Sequence, residues 1–250
     1  MSALSVVLAT YNEEKNLADC LKSIEHIADE IVIVDGASTD STVAIAKQYG
    51  AKVKITTNKP IFHVNKQMAI DMATKDWILQ LDADERVTPE LAREIKDQIS
   101  KIKDEGINGY WIPRKNWFLG RFLMKGGVYP DYTLRLYKRG KGRLPQKSVH
   151  EQAIVEGKTA YLKNPLIHMA DITLARYLLR WNRYVNLIKD ELKQKKLGFF
   201  VPVEYLIVKP IWWFLLTYIR HKGFMDSWQG FVFSFFSSLR FPVAYIRSIS

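Results

Sequence analysis

Along the first hundred residues, short runs of apolar and β-branched residues alternate with segments in which apolar residues recur every three or four positions. The short runs contain neither Gly nor Pro and predict four strands, at 4–9, 30–34, 51–56 and 77–81. The intervening segments predict helices after Asn12, at 41–49 and at 64–73. Three strand–helix repeats with short connections predict an α/β fold with a mostly parallel central sheet and helices on both faces.

After the fourth strand the pattern changes. Thr88 followed by Pro89 is a strong helix start, and this helix is predicted to reach about Lys103. Residues 110–113 and 133–137 predict two further strands. The second half of the chain therefore adds strands that do not follow the strand–helix repeat.

An aromatic, Gly-containing segment at 116–130 separates those two strands. A connection of that length inside a compact domain is usually functional or mobile, and here it is placed to cover a bound ligand. From Thr173 a long amphipathic helix is predicted, which Gly198 ends.

Residues 199–250 are dense in aromatic side chains, among them Trp212, Trp213 and Trp228. Charged residues and a proline interrupt the apolar segments, so none reaches the roughly 20 clean residues of a membrane-spanning helix. We predict helices that lie on a membrane surface, with core packing and an oligomer interface as the alternatives.

Charge is unevenly distributed along the chain. The net charge is +11, with −5 on residues 1–100 and +16 on residues 101–250. A basic, aromatic-rich half suits an anionic membrane surface, a phosphorylated acceptor or nucleic acid. The basic run from Arg135 to Arg143 is either part of such a binding surface or a solvated face.

Length and cysteine usage set further bounds. At 250 residues and 48% hydrophobic composition, the chain can bury the core of one large domain or of a domain with an appendage. The single cysteine, Cys20, excludes an intramolecular disulfide and a Cys-built zinc site, and its helical position predicts a packing role. No basic residue precedes the first apolar run, so we expect no signal peptide and a cytoplasmic location.

Candidate chemistry lies at the end of the fourth strand, in Asp82, Asp84 and Glu85. Ligands of open α/β sheets bind outside the carboxyl ends of the strands. If the strand continues, Asp82 and Asp84 point to the same side of the pleat, where a cation would relieve their repulsion. Carboxylate oxygens suit Mg²⁺ or Mn²⁺, which would hold a substrate diphosphate at their remaining positions. A solvated acidic turn is the alternative interpretation of an isolated D-x-D.

Polar side chains also follow the first two strands: Thr10, Asn12 and Glu13 after the first, and Asp35 and Ser38 after the second. If these strands are neighbours of the fourth, their ends meet at one rim of the sheet. A carboxylate at the end of the second strand is placed to bind a nucleotide's base or ribose. Neither a P-loop nor a dinucleotide-binding glycine motif follows the first strand.

Three segments together resemble family 2 glycosyltransferases, whose fold is the Rossmann-like GT-A fold: SVVLATYNE at 5–13, IVDGASTDST at 33–42 and LDAD at 81–84. The resemblance covers roughly residues 3–155. The run DYTLRLYKRGKG that begins at Asp131, the VHE that ends at Glu151 and the basic, aromatic tail resemble a branch of the family. That branch includes glucosyltransferases that act on the lipopolysaccharide inner core.

The resemblance implies inverting transfer of a sugar from a nucleotide donor, often UDP-linked, to a hydroxyl of a glycan or lipid-linked acceptor in cell-envelope or lipopolysaccharide core biosynthesis. The implied residues for nucleotide-sugar binding are Thr10, Asn12, Glu13, Asp35, Ser38, Lys66 and Asp82. Among these, Asp35 would contact the base. Asp82 and Asp84 would bind Mg²⁺ or Mn²⁺, with Asp84 the more direct ligand. Lys66 stands where many members have Arg and offers a point charge instead of a planar fork.

Transfer with inversion also needs a base that takes the proton of the acceptor hydroxyl. The resemblance points to Glu151 as this base, with His150 either orienting it or sharing in catalysis. Asp131, which follows the 116–130 segment, is the second candidate.

We therefore expect a GT-A catalytic domain at 1–170, composed of a nucleotide-sugar-binding half (1–105) and an acceptor-side half (106–170). A helical extension at 171–250 would place the enzyme peripherally on an anionic membrane surface at the inner face of the cell membrane. No nucleic-acid partner is expected, and the oligomeric state stays open.

Other functions fit the sequence less well. A sugar nucleotidyltransferase needs a Gly-rich, basic turn after the first strand, and this chain has Tyr11, Asn12, Glu13 and Glu14 there. A non-enzymatic module that binds membranes or nucleic acid would leave the acidic strand ends unused.

Overall fold

The computed structural model describes residues 2–100, 106–145, 152–194 and 198–249. The chain forms two compact units. The first comprises Met1–Arg114 and Asp131–His168, and the second comprises Lys115–Pro130 and Met169–Ser250.

Parallel strands build one half of the first unit's sheet: β1 (Leu4–Thr10), β2 (Glu30–Asp35), β3 (Lys52–Ile55) and β4 (Trp77–Leu81). Their order across the sheet is β3-β2-β1-β4, with every neighbouring pair parallel. The associated helices are α1 (Glu14–Ile24), α2 (Thr42–Gln48), α3 (His63–Met72) and α4 (Pro89–Ile99). The α/β repeat predicted from the sequence is confirmed.

Helix α4 begins as predicted and ends earlier than predicted. The Thr88 hydroxyl accepts the backbone N–H of Leu91 at 3.1 Å, which caps the helix. The helix ends at Ile99, and the predicted end at Lys103 lies outside the described residues.

Side chains that alternate along the parallel strands form two separate cores. Val6 packs with Leu17 of α1 on one face of the sheet. Val7 packs with Ile70 of α3 on the other face. Covering the sheet on both faces leaves its carboxyl edge as the place where polar side chains collect.

The other half of the sheet is largely antiparallel. Its strands are β5 (Glu85–Val87), β6 (Ile107–Phe118), β8 (Asp131–Lys138), β11 (Lys158–Tyr161) and β12 (Leu166–Asp171). Strand β8 pairs antiparallel with both β4 and β6, and β12 pairs antiparallel with β5. A separate hairpin joins β9 (Gly142–Arg143) to β10 (Ile154–Val155). Most of these strands are short and carry little apolar pattern, so the sequence predicted only parts of β6 and β8.

The second unit is mainly helical: α5 (Leu174–Gln194), α6 (Val201–Val203), α7 (Lys209–Phe214) and α8 (Ser227–Ile249). Turns of π-helix at 204–208 and 215–220 make residues 201–220 one continuous helical stretch. Phe118, Leu123 and Tyr177 form its buried core. Within the described ranges, no helix combines the length and the apolar character needed to cross a membrane.

The segment 116–130 is not the structureless connection that the sequence predicted. Strand β6 continues to Phe118, and the short β7 (Arg121–Phe122) pairs back onto it. The backbone N–H groups of Met124 and Lys125 donate to the buried carboxylate of Asp226 at 2.9 and 2.7 Å. The segment is therefore tied to the C-terminal helices of its own unit.

Candidate functional site

Asp35, at the end of β2, is fully buried beside the end of β1. Its carboxylate accepts hydrogen bonds from the Thr10 hydroxyl at 2.9 Å, from the Ser38 hydroxyl at 2.6 Å and from the Ser38 backbone N–H at 2.8 Å. Thr10 and Asp35 are also direct neighbours in the β1–β2 register. Three of the predicted nucleotide-binding residues therefore lie together at the carboxyl edge of the sheet.

Asn12 and Glu13 extend this cluster. Asn12 has a left-handed backbone with φ of 53°, which Asn adopts more readily than most residues. Its N–H donates to the Ser38 hydroxyl at 2.8 Å, and its Oδ1 accepts the N–H of Thr39 at 2.9 Å. The backbone N–H of Glu13 donates to the Thr42 hydroxyl at 2.8 Å. These bonds join the loops after β1 and β2 into one rim.

The acidic cluster forms a turn and does not extend the strand. Strand β4 ends at Leu81, and the Glu85 N–H donates to the Asp82 carbonyl at 2.9 Å across the turn. Asp82 and Asp84 therefore do not share one side of a pleat, as a continued strand would require. Each of the two carboxylates has its own set of partners.

Asp82 lies between two cations. Lys66 of α3 forms an ion pair with Oδ1, and Arg135 Nη2 of β8 donates to Oδ2 at 2.7 Å. Burial works against the charged form of Asp82. The positive charges of Arg135 and then Lys66 outweigh that effect and hold the pKa of Asp82 well below its usual range. Asp82 is therefore a carboxylate that already balances two positive charges beside the site.

Asp84 faces a histidine from a different strand. His168 Nε2 lies 3.6 Å from Asp84 Oδ2. The antiparallel pairing of β12 with β5 sets His168 directly opposite Glu85 in register. The sequence did not identify His168 as a site residue, because only this long-range pairing brings it to the acidic turn.

Glu85 and Arg114 connect the acidic turn to Asp131. The side chain of Glu85 is fully buried and lies 3.3 Å from Arg114 Nη1. Arg114 in turn donates to Asp131 Oδ2 through Nε at 3.0 Å and through Nη2 at 2.7 Å. Asp131 is thus held by Arg114, a residue of the pocket lining.

Four of these residues, Lys66, Asp82, Arg114 and Arg135, line a pocket of about 200 Å³ in the first unit. Its lining combines charged, amide, hydroxyl and apolar side chains: Phe62, His63, Lys66, Gln80, Asp82, Arg114, Thr133, Leu134, Arg135, Leu144, Gln152 and Ala153. Mixed linings of this kind suit a polar ligand with an apolar face, because a few fixed polar groups set its orientation.

The predicted base Glu151 and its neighbour His150 lie outside the described residues. Gln152, the residue that follows them, lines the pocket, and its Oε1 accepts the backbone N–H of Leu134 at 3.3 Å. The catalytic role of His150 and Glu151 stays a prediction.

The donor set near Asp84 fits a divalent cation that shares its coordination with a ligand. Across the described ranges, no group of three or more His, Cys, Asp or Glu side chains forms a complete metal site. Mg²⁺ usually binds through one or two carboxylates and keeps its other positions for water and substrate phosphates. Asp84 and His168 are the residues best placed to hold such an ion, with Asp82 nearby but engaged by Lys66 and Arg135.

Sequence reasoning missed the role of Arg135, which it grouped with the exposed basic residues that follow. Arg135 is 8% exposed and contacts Asp82 and Glu85. The local pattern gave no signal for this role, because Thr133, Arg135 and Tyr137 alternate with apolar residues as they do in a strand whose polar side chains face solvent.

Comparison with known proteins agrees with this architecture. The model for glycosyl transferase family 2 matches residues 5–156. The lipopolysaccharide core biosynthesis glycosyltransferase LpsC of Rhizobium meliloti (strain 1021) is 32% identical over 95% of this chain and 91% of its own length. An uncharacterized glycosyltransferase of Rickettsia typhi is 30% identical over 100% of this chain and 88% of its own length.

The fold also resembles that of solved structures. A mannosyltransferase from Pyrobaculum calidifontis, in complex with GDP-Man and Mn²⁺, has a TM-score of 0.60 at 14% identity and covers 99% of this chain and 87% of its own. S. aureus TarS 1–349 in complex with UDP has a TM-score of 0.50 at 17% identity, covering 90% and 75%. From the family match and the fold together, this chain is a glycosyltransferase that belongs to family 2 and has the GT-A fold.

Proposed function

We propose that this enzyme transfers a sugar, with inversion and with the help of a divalent metal, from a UDP-linked donor to a hydroxyl of a glycan or lipid-linked acceptor. The observation that carries the proposal is the acidic turn at the end of β4. There Asp84 faces His168, and Asp82 meets Lys66 and Arg135 beside a pocket. Carboxylates for a metal and cations for phosphate stand side by side, as transfer from a nucleoside diphosphate requires.

The donor's nucleotide would lie over the ends of β1 and β2. Asp35 at this position suits a base or ribose, and Thr10 and Ser38 fix its carboxylate. Asn12 and Glu13 form the adjoining rim. Together these residues supply recognition of the nucleotide rather than chemistry at the sugar.

The donor's diphosphate would lie at the acidic turn. A metal held by Asp84 and His168 stabilises negative charge on the leaving group when it is bound. Lys66 and Arg135 add positive charge from the pocket side, and Asp82 keeps both cations in place. A nitrogen ligand suits a transition metal such as Mn²⁺ better than Mg²⁺.

Glu151 is the proposed base, with His150 as its orienting partner. Asp131 is a weaker candidate, because Arg114 binds the same carboxylate oxygen through two nitrogens. A carboxylate that stabilises an arginine is a poor acceptor for a proton.

The proposed acceptor class follows from the surface of the second unit and from the similarity to LpsC. The second unit carries 15 Lys/Arg and 5 Asp/Glu, a net charge of +10. Its exposed apolar side chains include six that are each 48% or more exposed: Ile207, Ile211, Trp212, Leu215, Phe224 and Trp228. Positive charge together with exposed Trp and Ile suits the anionic surface of the inner leaflet, where lipid-linked acceptors lie.

Such an acceptor fits the similarity to LpsC, whose name places it in lipopolysaccharide core biosynthesis. We therefore propose that the first unit carries catalysis and the second unit holds the enzyme peripherally at the membrane.

A donor screen tests the proposal. UDP-, GDP- and dTDP-sugars are added with and without MnCl₂, and the melting temperature and nucleotide release are measured. A ligand that binds only the folded state raises the melting temperature. We expect Mn²⁺-dependent stabilisation by UDP-sugars, and no stabilisation by any nucleotide sugar would contradict the proposal.

A further inference from the structure

Glu85 joins the acidic turn to both arginines of the pocket. Its Oε2 accepts the backbone N–H of Asp82 at 2.9 Å. Its Oε1 accepts from Arg135 Nη2 at 3.0 Å and from Arg114 Nη1 at 3.3 Å. One fully buried carboxylate thus fixes the turn and orients two guanidinium groups that line the pocket.

Arg135 retains hydrogen-bonding capacity that these contacts do not use. Its Nη2 serves both Asp82 and Glu85, while its buried Nε has no hydrogen-bond partner within the part of the chain that the structure describes. Buried donors are almost always satisfied in folded proteins. A donor left over at a pocket wall is therefore suited to an acceptor atom on a ligand.

Thr133 shows the same feature two residues earlier on β8. It is 7% exposed, and its Oγ1 likewise has no partner among the described side chains and backbone groups. Residues two apart on a strand share a face, and both side chains line the pocket. Thr133 and Arg135 thus form a small polar wall with unused capacity for hydrogen bonds.

The two acidic partners of Arg135 differ in how a ligand could affect them. The side chain of Asp82 is 28% exposed, whereas that of Glu85 is fully buried. Asp82 lines the pocket and Glu85 does not, so a ligand in the pocket can replace the contact with Asp82 and leaves the contact with Glu85 in place. Glu85 therefore maintains the orientation of Arg135 whether or not the site is filled.

We propose that Thr133 and Arg135 bind oxygen atoms of the donor directly, and that Glu85 is the positioning residue that holds Arg135 for this contact. This inference rests on the proposed function, because it takes the ligand of the pocket to be a nucleotide sugar. The ligand oxygens belong either to the diphosphate or to the transferred sugar. Both are acceptors for a guanidinium and a hydroxyl, and the two sources are separable by experiment.

The test compares the binding of UDP, GDP, dTDP and their hexose derivatives by calorimetry in MnCl₂, with thermal unfolding as a check on the fold. The variants are Glu85→Gln, Arg135→Lys, Thr133→Val and the double variant of Glu85→Gln with Arg135→Lys. Glu30→Gln is the matched control. Glu30 is a buried carboxylate held by Lys52, Ser5 and Thr74 at the start of β2, the opposite edge of the sheet.

Glu85→Gln and Arg135→Lys are each expected to weaken donor binding at least tenfold, and Thr133→Val about three- to tenfold, while Glu30→Gln binds like the wild type. Weakened binding of the free nucleoside diphosphate assigns the contact to phosphate. Weakened binding of the nucleotide sugar alone assigns it to the sugar. The double variant should lose less affinity than the sum of the two single losses, because Glu85 acts in part through Arg135.

Wild-type affinity in folded Arg135→Lys and Thr133→Val would overturn the inference, and these two variants suffice if Glu85→Gln does not fold. If the affinity losses of the two single variants add up in the double variant, Glu85 has a purely structural role, and the part of the inference that makes it a positioning residue is overturned. If the wild type binds none of the nucleotides with Mn²⁺, the proposed function itself is wrong, and the inference fails with it.

Discussion

Asp84 and His168 face each other across the pairing of β5 with β12, with Oδ2 and Nε2 3.6 Å apart. Asp82, two residues earlier, instead pairs with Lys66 and Arg135. The two aspartates of the D-x-D motif therefore differ in their partners: Asp84 lies beside a histidine, and Asp82 balances two cations of the pocket.

This difference predicts different defects. Asp84→Ala should abolish transfer, and His168→Ala should lower Mn²⁺ affinity at least tenfold, because each removes a ligand. Asp82→Ala should weaken transfer severely, because it removes the carboxylate that pairs with Lys66 and leaves Arg135 with Glu85 as its acidic partner. Mn²⁺ titration followed by electron paramagnetic resonance distinguishes these effects. Equal Mn²⁺ affinity in wild type and His168→Ala would exclude His168 as a ligand.

Asp35→Ala should raise the donor KM more than it lowers kcat. The contact with the nucleotide is the same in the ground state and in the transition state, so losing this contact weakens donor binding more than it slows the chemical step. The variant also removes the acceptor of the hydrogen bonds from the Thr10 and Ser38 hydroxyls. Leaving these groups without that acceptor should lower the free energy of unfolding by about 1–3 kcal/mol. Steady-state kinetics and thermal unfolding separate the two effects. A destabilised variant with unchanged donor KM would assign Asp35 a purely structural role.

Glu151→Gln should retain donor binding and lose about 10²- to 10⁴-fold in kcat, because it preserves shape and removes the proton acceptor. Asp131→Asn is the matched variant at the other candidate base, where Arg114 engages the carboxylate. Single-turnover kinetics with saturating donor measure the chemical step. An active Glu151→Gln beside an inactive Asp131→Asn would move the base to Asp131.

The lowered pKa of Glu30 predicts how the stability of the fold depends on pH. Burial opposes its charge, but Lys52, Ser5 and Thr74 lower its pKa to about 2, from an ordinary value of 4.5. A carboxyl whose folded-state pKa is depressed stabilises the fold above its unfolded pKa and loses that contribution as the pH falls toward the folded value.

Between about pH 5 and pH 2 the wild type should therefore lose about 3 kcal/mol more stability than Glu30→Gln. Urea unfolding at several pH values measures this difference. Parallel pH profiles of the two proteins would contradict the assignment.

Membrane binding should depend on the exposed apolar surface of the second unit. Replacing Ile207, Ile211 and Trp212 together by Asn should reduce co-sedimentation with anionic liposomes, and salt should weaken the wild-type binding in part. Leu179→Asn is the control, because Leu179 is 68% exposed but lies on α5 and not in the helical stretch 201–220 that carries the three replaced residues. Wild-type protein that stays in the supernatant at low salt would assign the surface to another partner.

The sequence predicted the parallel half of the fold well because local patterns determine it. In β1 and β4, buried runs define strands, and the intervening helices follow from regular apolar spacing. The antiparallel half depends on pairings between distant segments, such as β12 with β5. Short strands of this kind carry little pattern of their own, so the sequence did not reveal them.

The same distinction holds for the site. The clustering of Thr10, Asp35 and Ser38 was predictable because they lie at or shortly after the ends of two recognisable strands. The partners of the acidic turn were not predictable, because Arg135 and His168 reach it only through long-range pairing. Strand β4 ends at Leu81 as predicted, and a turn hydrogen bond from the Glu85 N–H to the Asp82 carbonyl closes there, so the condition that would put Asp82 and Asp84 on one side of a pleat is not met.

The most direct test of metal-dependent sugar transfer is to measure UDP release from UDP-sugars, with MnCl₂ or with EDTA, for the wild type and Asp84→Ala. Lipopolysaccharide core fragments serve as acceptors. We expect acceptor-dependent release by the wild type in MnCl₂, little release in EDTA, and none above background by Asp84→Ala. Equal release in EDTA, or by Asp84→Ala, would contradict the metal-dependent mechanism proposed for this site.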